Sequence, residues 1–210
     1  MKKRTTSSGT DTHGQQQRRK IADLATNNTH IVQGLVDDYA ALLRPTLPNT
    51  TTTRLLDSIQ WTQLHTVSDE RFATLAALFC KKFKGVSRII WPVVGRNHYA
   101  VLDIYENAVI DVYDSVQTMA PGWITDRLVT LLVSLHGVSL NPEDPRNTAF
   151  RDALTIRYAA CHQQVNADDC GVFIMANMRC LVEGADVLST SSDTALLRRQ
   201  FASELLKSTL

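Results

Sequence analysis

Apolar residues recur at spacings of three and four in several stretches of the chain, and each such stretch is predicted to be an amphipathic helix. The predicted helices span residues 31–43, 69–83, 123–135, 171–182 and 194–206. The stretch 171–182 is apolar on nearly every side, unlike the others. This pattern is typical of a helix buried in the centre of a domain.

Between residues 86 and 113 the pattern changes to runs of β-branched and aromatic residues, which predict strands. The predicted strands are 89–94, 98–105 and 108–113, followed later by 155–160. Glu106-Asn107 is typical of a hairpin turn between the second and third strands, and Pro92 indicates that the first strand is an edge or is interrupted. The predicted fold class is α+β, with a central mixed or antiparallel sheet flanked by helices.

Three segments are predicted to lack regular structure. Residues 1–20 carry no aliphatic or aromatic residue after Met1, so burial cannot offset the entropy of ordering them. We expect them to form a disordered basic tail, followed by a single domain over residues 21–210. The polar run PTLPNTTTT and residues 141–147, which contain two prolines, are expected to be loops.

The amino-acid composition argues against some classes of binding partner. The 22 Lys and Arg against 21 Asp and Glu leave a net charge of +1, which gives no chain-wide attraction to nucleic acid or membrane surfaces. The apolar runs are too short for a membrane span or a secretory signal, so an intracellular protein is expected, in nucleus or cytoplasm. The four cysteines are expected to be thiols. Their spacing matches no zinc pattern, and neither metal nor cofactor is expected.

Cys170 is the strongest candidate for chemistry. It begins the apolar helix, where unpaired N–H groups and the helix dipole favour the nucleophilic thiolate. The polar residues 166–169 before it are expected to leave the sulfur accessible, and Gly171 after it is expected to allow close approach of a substrate backbone. A lone cysteine is more often a small buried side chain, so the assignment depends on partners.

The predicted hairpin supplies those partners. A two-residue loop is expected to place His98 opposite Ser115, and a loop one residue longer is expected to place it opposite Asp114. The carboxylate of Asp114 can then orient the imidazole of His98, which acts as general base for Cys170. Asp111 is an alternative acid, although its position on the strand favours an outward orientation.

Acyl transfer also needs hydrogen-bond donors for the developing oxyanion. Gln164 lies six residues before Cys170, on the loop that leads into the same helix. Its side-chain amide and the backbone N–H of Cys170 are the candidate donors.

The segments IIWPVVGRNHYAVLDI, VYDS and QQVNADDCGVF resemble the catalytic core of the Ulp/SENP-type cysteine proteases. Those proteases cut ubiquitin-like modifiers such as SUMO from their targets, and they share the adenain-like fold. The resemblance implies His98 as base, Asp114 as orienting acid, Gln164 in the oxyanion hole and Cys170 as nucleophile. Gln163 is the alternative for the oxyanion role.

Two positions depart from the family pattern. The family usually has Trp after the catalytic histidine, where it clamps the Gly-Gly tail of the modifier, and here Tyr99 takes that position. The upstream Trp-Leu-x-Asp helix, which forms the other wall, has its best counterpart in Leu35-Val36-Asp37-Asp38. That segment keeps an acid at Asp38 and lacks the Trp. Tyr99, Asp38 and Gly171 are the candidate substrate contacts.

The resemblance therefore implies a thiol isopeptidase that cleaves after the C-terminal Gly-Gly of a ubiquitin-like modifier. Its expected partners are the modifier and its conjugates, bound by a monomer. Three other functions stay open: a viral-type maturation protease acting on peptides, a modifier-binding module without catalysis, and an effector acetyltransferase on the same scaffold. For a secreted effector, the site of action would be the cytosol of the host.

Overall fold

The computed structural model describes residues 13–26, 30–48, 52–95, 97–116, 124–136 and 144–208. These residues form eight α-helices: α1 His13–Thr26, α2 Gln33–Leu43, α3 Ser58–Thr66, α4 Asp69–Lys82, α5 Asp126–Leu135, α6 Pro145–Ala153, α7 Cys170–Glu183 and α8 Thr194–Ser208. They also form five strands: β1 Thr53–Leu55, β2 Arg88–Gly95, β3 His98–Tyr105, β4 Val109–Tyr113 and β5 Thr155–Tyr158.

The five strands form one mixed sheet in the order β1-β2-β3-β4-β5. Strands β2, β3 and β4 are antiparallel, while β1 and β5 run parallel to their neighbours at the two edges. The ladder between β1 and β2 ends at Ile90, so Pro92 lies at an edge position where a missing N–H is tolerated. The predicted α+β class with a mixed sheet is confirmed.

The sheet separates two hydrophobic cores, because successive residues of a strand point to opposite faces. On one face, Ile90 and Val101 pack with residues of α1, α2, α7 and α8. On the other face, Trp91 and Leu102 pack with residues of α3, α4 and α5. Helices therefore flank the sheet on both sides, as the sequence predicted.

Helix α7 lies within one residue of the predicted span 171–182 at each end. Eleven of its fourteen residues are buried, and it packs against β3 and β2. It ends at Gly184, whose φ of 70° is accessible to glycine without strain. Its first residue is Cys170, so the buried helix fixes the candidate nucleophile next to the start of β3.

The expected disordered tail is wrong for residues 13–20, which form the first part of α1. Ile21 and Leu24, in the second half of that helix, are buried in the core, and α1 packs against α8. The polar first half therefore continues a helix that is anchored further along. Residues 1–12 lie outside the described residues.

The predicted loop at residues 141–147 is also wrong in its second half. Helix α6 begins at Pro145, a residue that suits the first turn of a helix because its missing N–H is not needed there. Asp144 caps the helix by accepting a 2.9 Å hydrogen bond from the N–H of Arg146. Residues 141–143 lie outside the described residues.

Strand β1 and helix α3 were not predicted. Strand β1 begins at the last residue of the polar run that was expected to be a loop. Helix α3 has a weak apolar stripe, and its start is marked by the N–H of Asp57 donating to Oε1 of Gln60 at 3.2 Å. Helix α5 begins at Asp126, whereas its predicted start, Trp123, lies outside the described residues.

The β3–β4 hairpin has a turn of three residues and pairs Tyr105 with Val109. Both predicted registers, with His98 opposite Ser115 or Asp114, are therefore wrong. We expect a longer turn to move the residue opposite His98 one position earlier, from Ser115 to Asp114. The observed three-residue turn moves it one position later than Ser115 instead. Strand β4 ends one residue before Asp114, so Asp114 reaches His98 from the loop that follows rather than by direct cross-strand pairing.

Candidate active site

The site forms where α7 and β3 begin and where β4 ends. Cys170, the first residue of α7, is fully buried rather than accessible, and it lies close enough to the imidazole of His98 to raise the pKa of that ring. On the other side of the ring, Nε2 of His98 donates a 2.6 Å hydrogen bond to Oδ1 of Asp114. Three elements far apart in the sequence thus bring together a thiol, an imidazole and a carboxylate.

The protonation of His98 reflects these two contacts. Burial by itself lowers the pKa of His98, but the hydrogen bonds and charges of Asp114 and Cys170 outweigh it and raise the pKa to about 9. Asp114 is itself held in place, because its Oδ1 also accepts a 2.8 Å hydrogen bond from the N–H of Val116. A charged imidazole beside a thiol is the arrangement that favours a thiolate nucleophile.

Gln164 lies in the loop between β5 and α7, and its side-chain amide is held at both ends. Its Oε1 accepts a 2.6 Å hydrogen bond from Oγ of Ser115, and its Nε2 donates a 2.6 Å hydrogen bond to the carbonyl of Asn166. An amide nitrogen carries two hydrogens, so one contact uses half of its donor capacity. The side chain of Gln164 is therefore fixed beside Ser115, the residue after Asp114, and one of its N–H groups remains available as a donor.

Gln163, the alternative oxyanion donor, is used differently. Its Nε2 lies 3.2 Å from the carbonyl oxygens of Asp114 and Cys161 and donates to both. These contacts brace the backbone at the end of β4. The geometry therefore favours Gln164 over Gln163 for the oxyanion role.

A short segment before α2 packs against the site. The hydroxyl of Tyr99 donates a 3.1 Å hydrogen bond to the carbonyl of Ile31, and the ring of His30 stacks on Tyr99 with centroids 5.5 Å apart. Burial raises the pKa of Tyr99, which keeps its hydroxyl a donor. A Cβ added to Gly171 would lie 2.7 Å from Cβ of Ile31, so position 171 has no room for a side chain.

The segment expected to form the wall opposite Tyr99 lies in α2, in the same hydrophobic core as Tyr99. Leu35 and Val36 of α2 are buried in the hydrophobic core of the domain. Asp37 accepts a 2.6 Å hydrogen bond from the N–H of Ser58, while Asp38 accepts a 3.2 Å hydrogen bond from Nε2 of Gln17. The part of Asp38 as a substrate contact stays a prediction.

His30 is the residue that sequence reasoning missed. The family pattern for the second wall is Trp-Leu-x-Asp, and its best counterpart in this chain lies within α2. His30 lies three residues before α2 begins, where an aromatic ring can reach Tyr99. The position of His30 just before the predicted helix was the feature of the sequence that could have indicated it. Its residue type gave no such indication.

The alternative acid, Asp111, faces away from His98. Its two carboxylate oxygens accept hydrogen bonds of 2.6 and 2.7 Å from Arg157 on the neighbouring strand β5. Across the ladder it pairs with Asp103 of β3. Asp111 therefore belongs to an ion-pair cluster at the other end of the hairpin.

The remaining thiols differ from Cys170 in their partners. Burial, reinforced by the charge of Asp114, raises the pKa of Cys161 to about 11. Burial also raises the pKa values of Cys80 and Cys180. These three thiols therefore stay protonated at neutral pH and are poor nucleophiles.

The described residues contain neither a candidate metal cluster nor a helix that could span a membrane. Over these ranges, no group of three or more His, Cys, Asp or Glu side chains is arranged to hold a metal ion. In the same part of the chain, no helix combines the length and apolar character needed to cross a membrane.

A thiol at the start of a buried helix, beside an imidazole at the end of a strand in a mixed sheet, is an arrangement typical of cysteine peptidases. The model of the Ulp1 protease family, C-terminal catalytic domain, matches residues 20–210. The chain therefore belongs to the Ulp1 protease family and is a cysteine protease, as the resemblance implied. A comparison with curated proteins finds no match.

Solved structures of this family share the fold. The Ulp1 protease domain in complex with Smt3, the yeast ortholog of SUMO, is 18% identical, with 91% of this chain and 82% of that chain covered and a TM-score of 0.61. The Ulp1-like SUMO protease catalytic domain of Chaetomium thermophilum is 18% identical, with coverages of 86% and 74% and a TM-score of 0.61. The Xanthomonas campestris effector XopD bound to ubiquitin is 16% identical, with coverages of 83% and 91% and a TM-score of 0.58.

Proposed function

We propose that this chain is a thiol isopeptidase that cleaves after the C-terminal Gly-Gly of a ubiquitin-like modifier, which is SUMO, ubiquitin or a relative. In this proposal Cys170 is the nucleophile, His98 the general base, Asp114 its orienting acid and Gln164 an oxyanion donor. The observation that carries the proposal is the juxtaposition of Cys170, His98 and Asp114, in which His98 is hydrogen-bonded to Asp114 and Cys170 lies close enough to raise the pKa of His98. Membership of the Ulp1 family supports the same chemistry.

The reaction begins with a Cys170 thiolate beside a protonated His98. The sulfur attacks the carbonyl carbon of the last glycine, and the oxygen becomes an oxyanion that the N–H of Cys170 and the amide of Gln164 stabilise. His98 then donates its proton to the nitrogen as the C–N bond breaks, and the amine leaves. Water, deprotonated by His98, attacks the thioester, releases the modifier and regenerates the thiolate.

The surroundings of Cys170 support glycine as the residue before the cut. Ile31 and Tyr99 close over the start of α7, and Gly171 is in direct contact with Ile31. A substrate that reaches the buried sulfur must pass close to these groups. A chain without side chains fits such an approach best.

The partner class is supported by two similar structures that hold a modifier, Smt3 in one and ubiquitin in the other. The near-balanced charge of this chain supports a protein partner rather than nucleic acid or a membrane surface. We propose that the enzyme acts as a monomer inside a cell, in nucleus or cytoplasm, or in host cytosol if it is an effector. Its four free thiols fit a reducing compartment.

The direct test uses SUMO and ubiquitin probes that carry a C-terminal vinyl sulfone. Wild type and Cys180→Ala, a matched control that removes another buried thiol of α7, are expected to form a covalent adduct, and Cys170→Ala is expected to form none. Adduct formation is read by mass spectrometry. An adduct that persists in Cys170→Ala overturns the assignment of the nucleophile.

The other outcomes point to the competing functions. Reversible binding of a modifier without an adduct indicates a binding module. Acetylation of protein substrates that depends on acetyl-CoA indicates a transferase. Cleavage of peptides without reaction at any modifier indicates a maturation protease.

A further inference from the structure

A buried ion pair ties the loop before α7 to the last helix. Oδ1 of Asp169, the residue before the nucleophile, accepts hydrogen bonds from Nη2 of Arg198 at 2.7 Å and from Nε of Arg198 at 3.2 Å. Arg198 lies on α8 and is 2% exposed, and Asp169 is 5% exposed. Burial alone would raise the pKa of Asp169, but its hydrogen bonds to Arg198 and Asn166 lower it. The carboxylate and guanidinium therefore both stay charged out of contact with water.

The ion pair continues into a compact turn. Oδ2 of Asp169 accepts a 2.7 Å hydrogen bond from Nδ2 of Asn166. Oδ1 of Asn166 accepts the N–H groups of Asp168 at 2.9 Å and of Asp169 at 3.0 Å, which closes the turn. The carbonyl of the same Asn166 accepts the 2.6 Å hydrogen bond from Nε2 of Gln164. A continuous series of contacts therefore runs from Arg198 through Asp169 and Asn166 to the amide of Gln164.

The other end of the Gln164 amide is bound to the loop after β4. Oγ of Ser115 donates to its Oε1 at 2.6 Å, and the backbone N–H of Gln164 donates to the carbonyl of Ser115 at 3.0 Å. Ser115 fixes the position of the amide group. The carbonyl of Asn166 binds one N–H of the Gln164 amide and so fixes the orientation of the –NH₂ group. The direction of the second N–H follows from that orientation.

We propose that Arg198 is a positioning residue for the oxyanion-binding amide of Gln164. Arg198 does not touch the substrate; it holds Asp169, which holds the Asn166 turn, which directs Nε2 of Gln164. The inference rests on the proposed function, because it takes Gln164 as an oxyanion donor. The planar fork of arginine places two N–H groups on one carboxylate oxygen, and lysine cannot reproduce this geometry.

The kinetic test is a double-mutant cycle between Arg198→Lys and Gln164→Ala. The substrate is a fluorogenic C-terminal amide of whichever modifier labels Cys170. Gln164→Ala is expected to lower kcat about 100- to 1,000-fold, the usual cost of one oxyanion donor. Arg198→Lys is expected to lower kcat by at least about 10-fold with little change in KM, and to have almost no further effect in Gln164→Ala.

The control and a second readout separate positioning from general destabilisation. Arg179→Lys is the matched control, because Arg179 of α7 pairs with Glu204 of α8 away from the loop, and its kcat is expected to stay near that of wild type. Labelling by the vinyl sulfone probe forms no oxyanion, so its rate is expected to be unchanged in Arg198→Lys. Strictly additive losses, or labelling that falls in parallel with kcat, overturn the inference.

A measurement without turnover keeps the inference distinguishable from the proposed function. The side-chain amide signals of Gln164 in a ¹⁵N NMR spectrum are expected to shift in Arg198→Lys and to stay in place in Arg179→Lys. Unmoved signals overturn the inference even if the protein acts on no modifier. Shifted signals with no turnover by wild type contradict only the proposed function. If Arg198→Lys does not fold, Asp169→Asn interrupts the same series of contacts and is measured in its place.

Discussion

The two ends of the β3–β4 hairpin both bury carboxylates, but they give them different partners. At the end beside α7, Asp114 binds the imidazole of His98. At the opposite end, Asp103 accepts two 2.8 Å hydrogen bonds from Arg88 and a 2.6 Å hydrogen bond from the hydroxyl of Tyr105. Asp103 has no exposed surface and Asp114 is 1% exposed, so burial does not distinguish the two ends.

The partner does distinguish them. Arginine keeps its charge at every pH that a protein tolerates, so the pair of Asp103 and Arg88 is a fixed structural element. Histidine can give up its proton within the pH range that a protein tolerates, and here that change falls near pH 9, so Asp114 faces a charge that appears and disappears. One hairpin therefore uses the same acidic residue type for stability at one end and, in the proposed function, for proton transfer at the other.

Removing the cation at each end gives the sharpest contrast. His98→Ala is expected to lower kcat/KM on the order of 10⁴-fold or more, because the thiol loses its base. Arg88→Ala is expected to leave kcat/KM within a few-fold. It should lower the free energy of unfolding by about 3 kcal/mol, because it leaves Asp103 buried without its ion-pair partner. Turnover of the modifier substrate and urea unfolding measure the two effects, and a comparable loss of turnover in Arg88→Ala would remove the contrast.

Removing the negative charge at each end gives a smaller version of the same contrast. Asp114→Asn is expected to lower kcat about 1,000-fold, because the amide no longer stabilises the charged imidazole. Asp103→Asn, the matched change, is expected to affect unfolding and leave kcat nearly unchanged. Steady-state kinetics on the two variants decide the point. Equal kcat values would show that Asp114 has no part in the reaction beyond folding.

The smallest expected effect is a pH dependence confined to the end with His98. The pKa of His98 is raised from 6.5 to about 9, so its contribution to stability is fully present below about pH 6.5 and is lost as the pH rises through about 9. The full contribution is about 3 kcal/mol. Asp114→Asn should lower the titration midpoint of the His98 ring and reduce this loss, and Asp103→Asn should change neither.

NMR titration of the ring protons and urea unfolding between pH 6 and 10 measure the two quantities. A wild-type midpoint near 6.5 would mean that Asp114 and Cys170 do not stabilise the charged imidazole.

The sequence located much of the site, because two of its parts lie in strongly patterned segments. The apolar run after Cys170 marks a buried helix whose start is well defined, and α7 begins at Cys170 itself. The run of aromatic and aliphatic residues that starts at His98 predicts β3 in the same way. Residues at the ends of well-defined elements can be placed from pattern alone, and these two were.

Other features depend on contacts that no pattern displays. The turn between β3 and β4 gains its third residue because Ala108 adopts a φ of 61°, which nothing in its residue type indicates. Helix α1 is stabilised by Ile21 and Leu24 packing near α8, almost the full length of the chain away. The stacking of His30 on Tyr99 likewise joins residues 69 positions apart. Each of these needed the folded chain before it could be recognised.

The complete burial of Cys170 limits which molecules can reach its sulfur atom. Cys170 has no surface of its own, so in the proposed function a substrate must reach the sulfur with a narrow, unfolded segment. Small inhibitors of this enzyme should accordingly be linear and thin near their reactive group.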